Sequence, residues 1–184
     1  MTEFQIHDVT TAPEKAKPLL EKSAKAFGQI PNLMGVMAES PAVLKGYMDL
    51  SETLVGSTLQ PHERHAVMLV VSVENRCKYC VAAHTGLARG AGLAADIIIG
   101  IREDDDVDDE KLETLCVFTQ KMVTNRGNVS QKDVTDFLDA GYTRANLLEV
   151  AAHIALKTLS NYVNHLAQTP VDASFAINKW TPPE

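Results

Sequence analysis

The segment RANLLEVAAHIALKTLSNYVNHLA (144–167) constrains the fold more than any other feature of the chain. Its apolar residues, among them Leu147, Leu148, Val150, Ile154, Leu156, Leu159, Val163 and Leu166, recur at helical steps and cover almost the whole circumference. A helix of that kind is central in its domain or buried in a subunit contact. Thr143 suits its N-cap. The rest of the chain reads the same way. Residues 13–28 open on Pro13, which fits a first helical turn, and 30–41 form a short helix between prolines. From Pro41, apolar residues at 43, 44, 47, 48, 50, 54 and 55 make a helical stripe. Leu112, Leu115, Cys116, Thr119, Met122 and Val123 make another within 109–124, in which Cys116 is a core residue. Ser130 with Asp133 resembles a capping box for a helix over 131–140, which Gly141 stops. Only HAVMLVVSV (65–73) has a period that suits a buried strand as well as a buried helix.

Composition removes several classes of function. Seventeen lysines and arginines against 24 acidic residues leave a net charge of −7, whereas nucleic-acid binding needs a basic face to displace counterions. The longest strictly apolar run, Ala66 to Val71, has six residues, against about 20 for a membrane-spanning helix. The opening MTEFQIHDVT has neither the basic nor the apolar part of a secretory signal, so the expected compartment is the cytoplasm. The acidic run REDDDVDDE (102–110) lacks the glycine and terminal glutamate of a calcium loop and reads as a solvated connector. The tail, residues 171–184, reads as irregular, lying on the surface or reaching to a neighbour.

The chemistry is concentrated in Cys77-Lys78-Tyr79-Cys80-Val81-Ala82-Ala83-His84, within a core motif spanning 60–95. On a helix, Cys77, Cys80 and His84 fall inside a sector of about 60°. His84, four residues after Cys80, can take its proton directly or through one water, and a cysteine in a first turn gains from the free amides there. The pattern supplies an activated thiol, a second thiol to trap it as a disulfide, and a base. Dithiol redox chemistry is the favoured reading, and it predicts the lower pKa for Cys80. Two alternatives stand beside it: plain core cysteines, and a zinc site that would need a fourth ligand. Haem attachment would need histidine where Val81 stands. A thioredoxin-like chain would need further strands after the motif, and residues 94–167 offer only helical patterns. The expected fold is therefore all-α, one domain over 1–184, with 65–73 helical.

These residues resemble the AhpD-like alkylhydroperoxidases of the carboxymuconolactone decarboxylase superfamily. FGQIPNLMGVMAESPAVLKGY (27–47) is similar to their leading segment, ERHAVMLVVSVENRCKYCVAAHTGLARGAGL (63–93) to their core motif and NYVNHLAQTPVD (161–172) to their closing helix. The resemblance implies an AhpD-like helical bundle, a trimer or hexamer, and reduction of a hydroperoxide or disulfide by the cysteine pair. It gives Cys80 the peroxidatic role, Cys77 the resolving role and His84 the proton relay. It also suggests that Tyr79 shapes the entrance. Where the family usually carries a glutamate, twelve residues before the first cysteine, this chain has His65. A histidine can shuttle protons near neutral pH, so His65 is the expected outer relay, with coupled titration and loss of activity on the acid side as both rings charge. Glu63 and Glu74 are the alternatives.

The functional expectation is a thiol-dependent hydroperoxidase or disulfide oxidoreductase with no bound cofactor, since no flavin, haem or nicotinamide motif is visible. Its reductant would be an external dithiol, from a protein or a lipoyl-type partner. The rivals are a lyase on a lactone or keto-acid and a zinc-stabilised helical module without catalysis. His153, Lys157, Asn161 and Asn164 form a polar stripe on the last helix, which reads first as a polar seam between subunits and second as a wall of the active site.

Overall fold

The computed structural model describes residues 4–182. Its helices are α1 (Lys17–Phe27), α2 (Asn32–Met37), α3 (Pro41–Leu54), α4 (Pro61–Glu74), α5 (Lys78–Gly90), α6 (Ala95–Glu103), α7 (Glu110–Thr124), α8 (Gln131–Asp139) and α9 (Arg144–Ala167), with a 3-10 turn at Ala173–Asn178. Among the described residues there is no strand, and no helix long and apolar enough to cross a membrane.

The ambiguous stretch 65–73 lies inside α4. Its start decides the matter locally. Pro61 sits in the first turn, and Gln60 and Glu63 close a capping box, with Glu63 Oε2 accepting from the Gln60 amide at 2.8 Å. Ala66, Val67, Leu69 and Val71 are fully buried because α5, α6, α7 and α9 all pack on this helix. A helix enclosed on every side has no polar face to show, which is why its period was hard to read.

Local signals elsewhere set the ends. Ser130 with Asp133 caps α8, Thr143 with Asn146 caps α9, and Gly141, at φ +92°, makes the left-handed turn between them. Pro13 does not open a helix. It begins a turn in which the Ala16 amide donates to the Pro13 carbonyl at 2.8 Å, and Pro18 stands in the first turn of α1 instead. The acidic run is a connector, as expected: Asp109 caps α7, accepting from the Leu112 amide at 2.9 Å.

Two apolar clusters form the interior. One gathers α4, α6, α7 and α8 and includes Cys116, whose thiol burial pushes up to about 12. The other joins α1–α3 to the start of α5 and contains Cys77 and Cys80. The tail departs from its expectation of an irregular, peripheral segment. Residues 173–178 pack on α5, and the buried Trp180 donates its indole N–H to the Arg102 carbonyl at 2.9 Å. An indole and a hydrogen bond of its own give the tail enough to hold it down.

Phe137 is the clasp of α8. It is fully buried, with Phe118 and Tyr142 rings both 4.5 Å from its own. Phe137→Ala should cost about 3–5 kcal/mol. Urea unfolding of the two proteins checks this, as a lower midpoint with an unchanged slope.

Candidate active site

The corner between α4 and α5 positions the cysteines. Asn75 ends α4, and Arg76 adopts a left-handed φ of 53°. The Arg76 amide donates to Val73 O at 2.7 Å and the Cys77 amide to Ser72 O at 2.9 Å, the paired bonds of a Schellman ending. Cys77 is thereby fixed as the N-cap of α5, and Cys80 falls in its first turn. Both are free thiols, each 1% exposed.

The opposite wall comes from α9. Asn164 Nδ2 donates to Cys80 Sγ at 3.2 Å, and Asn161 Oδ1 accepts from Asn75 Nδ2 at 2.9 Å, tying the helix to the corner. Lys157, 2% exposed, lies on the same face beside the thiol. The polar stripe His153, Lys157, Asn161 and Asn164 is thus buried inside the subunit and does not form a seam between subunits. Of the apolar residues of α9, Val150 and Leu156 are buried as well, whereas Leu148, Tyr162 and Leu166 are exposed. A polar set on an otherwise apolar helix turned inward because its partners are the sulfur and the corner amide.

Cys80 opens on a cavity of about 240 Å³ that Lys157, His65, His84 and Tyr47 share. Most of the remaining wall is apolar, with Leu33, Met34, Met68, Leu87 and Leu156 among its members. The His65 and His84 rings lie 5.9 Å apart, tilted by 45°, and each has a buried Nδ1 without a hydrogen-bond partner among the described residues. Tyr79 also lines the cavity. Its hydroxyl donates to Asp172 Oδ2 at 2.6 Å and its ring meets Phe175 edge-on, so the tail holds this wall in place.

Charge in this pocket follows from burial and from one cation. Burial alone would raise the Cys80 thiol. A hydrogen bond with Cys77, the Lys157 ammonium and the amides of Asn164 and Asn161 outweigh it and hold Cys80 well below the ordinary thiol range. Cys77 moves the other way, raised by its hydrogen bond to Cys80 and by burial. For Lys157, burial favours loss of the proton, but the Cys80 sulfur, then Tyr47 and Cys77, keep it above its usual value. Burial, with Arg64, His153 and Lys157 as nearby positive or protonatable groups, lowers His65 to about 4. Burial, Lys157 and His65 hold His84 well below the imidazole range.

The residues picked from the sequence separate accordingly. Cys80, His84 and His65 share the cavity and Cys77 lies behind Cys80. Glu63 and Glu74 are elsewhere: Glu63 serves the α4 cap and pairs with Lys111 at 3.1 Å, while Glu74 accepts from Gln120 at 2.9 Å. Among the described residues no direct hydrogen bond joins His84 to Cys80, whereas Asn164 donates to the sulfur. The expected acid-side charging of both rings is also displaced, since dry surroundings keep them neutral through the physiological range. Lys157 and Asn164 belong to the polar stripe, whose second reading, a wall of the site, is the one the structure bears out; Tyr47 is what sequence reasoning missed.

Three comparisons bear on this arrangement. Residues 41–109 match the model of the carboxymuconolactone decarboxylase family. An alkyl hydroperoxide reductase of Mycobacterium tuberculosis is 29% identical over 105 residues, 53% of this chain and 30% of that protein. The chain therefore spans under a third of the curated relative it matches. Among solved structures, a peroxidase-related protein of Ralstonia eutropha described as an alkylhydroperoxidase AhpD core superposes with a TM-score of 0.84 over 100% of both chains at 18% identity. A peroxidase-related protein of Silicibacter gives 0.77 over 95% of each at 20% identity. The debrominase Bmp8, solved in complex with 2,3,4-tribromopyrrole, gives 0.81 over 97% of this chain and 96% of its own at 16% identity.

The order of the two thiols can be measured. In Cys77→Ser, alkylation of Cys80 by iodoacetamide should titrate below the free-thiol value of about 8.5, and in Cys80→Ser the thiol of Cys77 should titrate above it. The reverse order would overturn the assignment. His65→Gln should leave the Cys80 profile unchanged between about pH 5 and 8, because the ring it removes is neutral there.

Proposed function

We propose that this chain belongs to the AhpD-like carboxymuconolactone decarboxylase superfamily, which the similarities above support, and is a thiol-dependent hydroperoxidase and disulfide oxidoreductase. One observation carries the reading: the more acidic thiol of a CxxC pair opens on an apolar cavity, with its partner thiol directly behind it. The Cys80 thiolate attacks the O–O bond of a hydroperoxide and becomes a sulfenic acid. The Cys77 thiol condenses with it, water leaves, and a Cys77–Cys80 disulfide remains. An external dithiol, protein-borne or lipoyl, returns the pair to its reduced state. Such a cycle needs a reducing compartment, which agrees with the cytoplasm. His84 and His65, neutral and unpartnered at Nδ1, orient the peroxide and pass protons within the cavity. The apolar wall favours an uncharged organic hydroperoxide over a charged one.

The zinc-stabilised alternative finds little geometric support, because among the described residues no three His, Cys, Asp or Glu side chains converge as a metal site. A lyase of the decarboxylase type would keep its activity without either cysteine. One equivalent of an alkyl hydroperoxide should lower the titratable thiols from three per chain to one, Cys116 being the survivor. Retention of all three overturns the peroxidase reading.

The exposed Leu148, Tyr162 and Leu166 on α9 support a homo-oligomer, trimeric or hexameric, that covers them. Sedimentation velocity at micromolar concentration should show a species several times the 20.1 kDa chain; a monomer alone would overturn it.

A further inference from the structure

Lys157 is the least expected group in the interior. It is 2% exposed, and among the described residues no carboxylate lies within ion-pair distance of its ammonium. The titratable groups that face it are Tyr47 from α3, His65 from α4, and Cys77, Cys80 and His84 from α5. A buried cation without an anion is strongly disfavoured. Among the groups that face it, only a thiolate at Cys80 can fill that place at neutral pH, since the two imidazoles are uncharged and the Cys77 thiol and the buried Tyr47 phenol keep their protons.

The reaction removes that partner. Once Cys80 has attacked a peroxide, its sulfur no longer bears charge, and the ammonium is left alone in an apolar cavity. At the same moment an alkoxide is released, a strong base that cannot leave freely without a proton. We propose that Lys157 is the proton donor of the oxidative step: it is the counter-ion of the Cys80 thiolate beforehand and protonates the departing alkoxide.

This inference rests on the hydroperoxidase reading and adds the source of its proton. The steps balance. Thiolate, ammonium and hydroperoxide give sulfenic acid, neutral amine and alcohol; the S–O bond forms, the O–O bond breaks, and the proton passes from Nζ to the alkoxide. The Cys77 thiol then displaces hydroxide from the sulfenic sulfur, and its own proton completes the water. A dithiol reductant later converts the disulfide back to two thiols, and the Cys80 proton returns to the Lys157 amine. The histidines are poorer donors, because a neutral imidazole is a far weaker acid than an ammonium. Loss of the thiolate strengthens Lys157 as an acid when it is needed, since burial is then no longer opposed.

The leaving group supplies the test. Reduced protein is oxidised in a single turnover with an alkyl hydroperoxide, whose alkoxide needs a proton, or with a peroxycarboxylic acid, whose carboxylate does not. Rates are divided by the thiolate fraction read from ultraviolet absorbance. Lys157→Met should slow the alkyl hydroperoxide by ~100-fold or more per thiolate, from the lower end of the range for one general acid upward, and the peroxy acid by less than about threefold. Equal slowing of both oxidants, or of neither, overturns the proposal. Lys157→Arg keeps the charge but is a much weaker acid, and serves if the methionine variant fails to fold. It should retain the thiolate and lose only the alkyl hydroperoxide rate; a parent-like rate overturns the proposal. If the parent forms no disulfide with either oxidant, the hydroperoxidase reading itself fails.

Discussion

A thiol and a lysine ammonium held out of water beside each other are the constraint on which the rest of this structure depends. Each alone would be driven to its neutral form by burial, at a cost of several kcal/mol for remaining charged. Together they favour the ionised pair. The ammonium adds to the Cys77 hydrogen bond and the asparagine amides in lowering the Cys80 thiol, and the sulfur in turn holds the Lys157 ammonium above its usual value. The two residues are 77 positions apart, one at the start of α5 and one in the middle of α9. The fold must therefore bring a helix N-terminus against the polar face of another helix, and the α4–α5 corner does so through the Asn75–Asn161 hydrogen bond.

That requirement explains why α9 buries polar residues beside its apolar ones. A helix of an ordinary globular core buries its apolar stripe and shows its polar one. Here His153, Lys157, Asn161 and Asn164 are buried along with Val150 and Leu156, while Leu148, Tyr162 and Leu166 are exposed. The enclosed polar groups satisfy the sulfur and the corner, and part of the apolar surface of the helix is left exposed.

The position of the site between two clusters has its own consequence. One cluster, centred on α4, α7 and α8, is closed by Phe118, Phe137 and Tyr142. The other, built from the first three helices and the start of α5, carries the thiols and the cavity. Asp172, accepting from Tyr79 and from the Asn32 amide, fastens the tail across that second cluster. The reactive groups thus sit in a wall made of segments far apart in the chain, on a base that does not depend on them.

The all-α class, the ends of α8 and α9, and the placing of two cysteines and a histidine on one helix start were legible in the amino-acid sequence. Each rests on interactions within a few residues: the Ser130–Asp133 and Thr143–Asn146 boxes, the three- and four-residue steps of the apolar positions, and the spacing of Cys77, Cys80 and His84. Periodicity could show that α9 had a polar stripe but not which way it faced, because facing is settled by what lies opposite. Only the tertiary structure put Asn164 rather than His84 on the Cys80 sulfur and sent Glu63 to a helix cap. The same structure kept His65 and His84 neutral and packed the tail on α5. Those outcomes depend on burial and on charges from other helices, and neither is a property of a residue's neighbours in the chain.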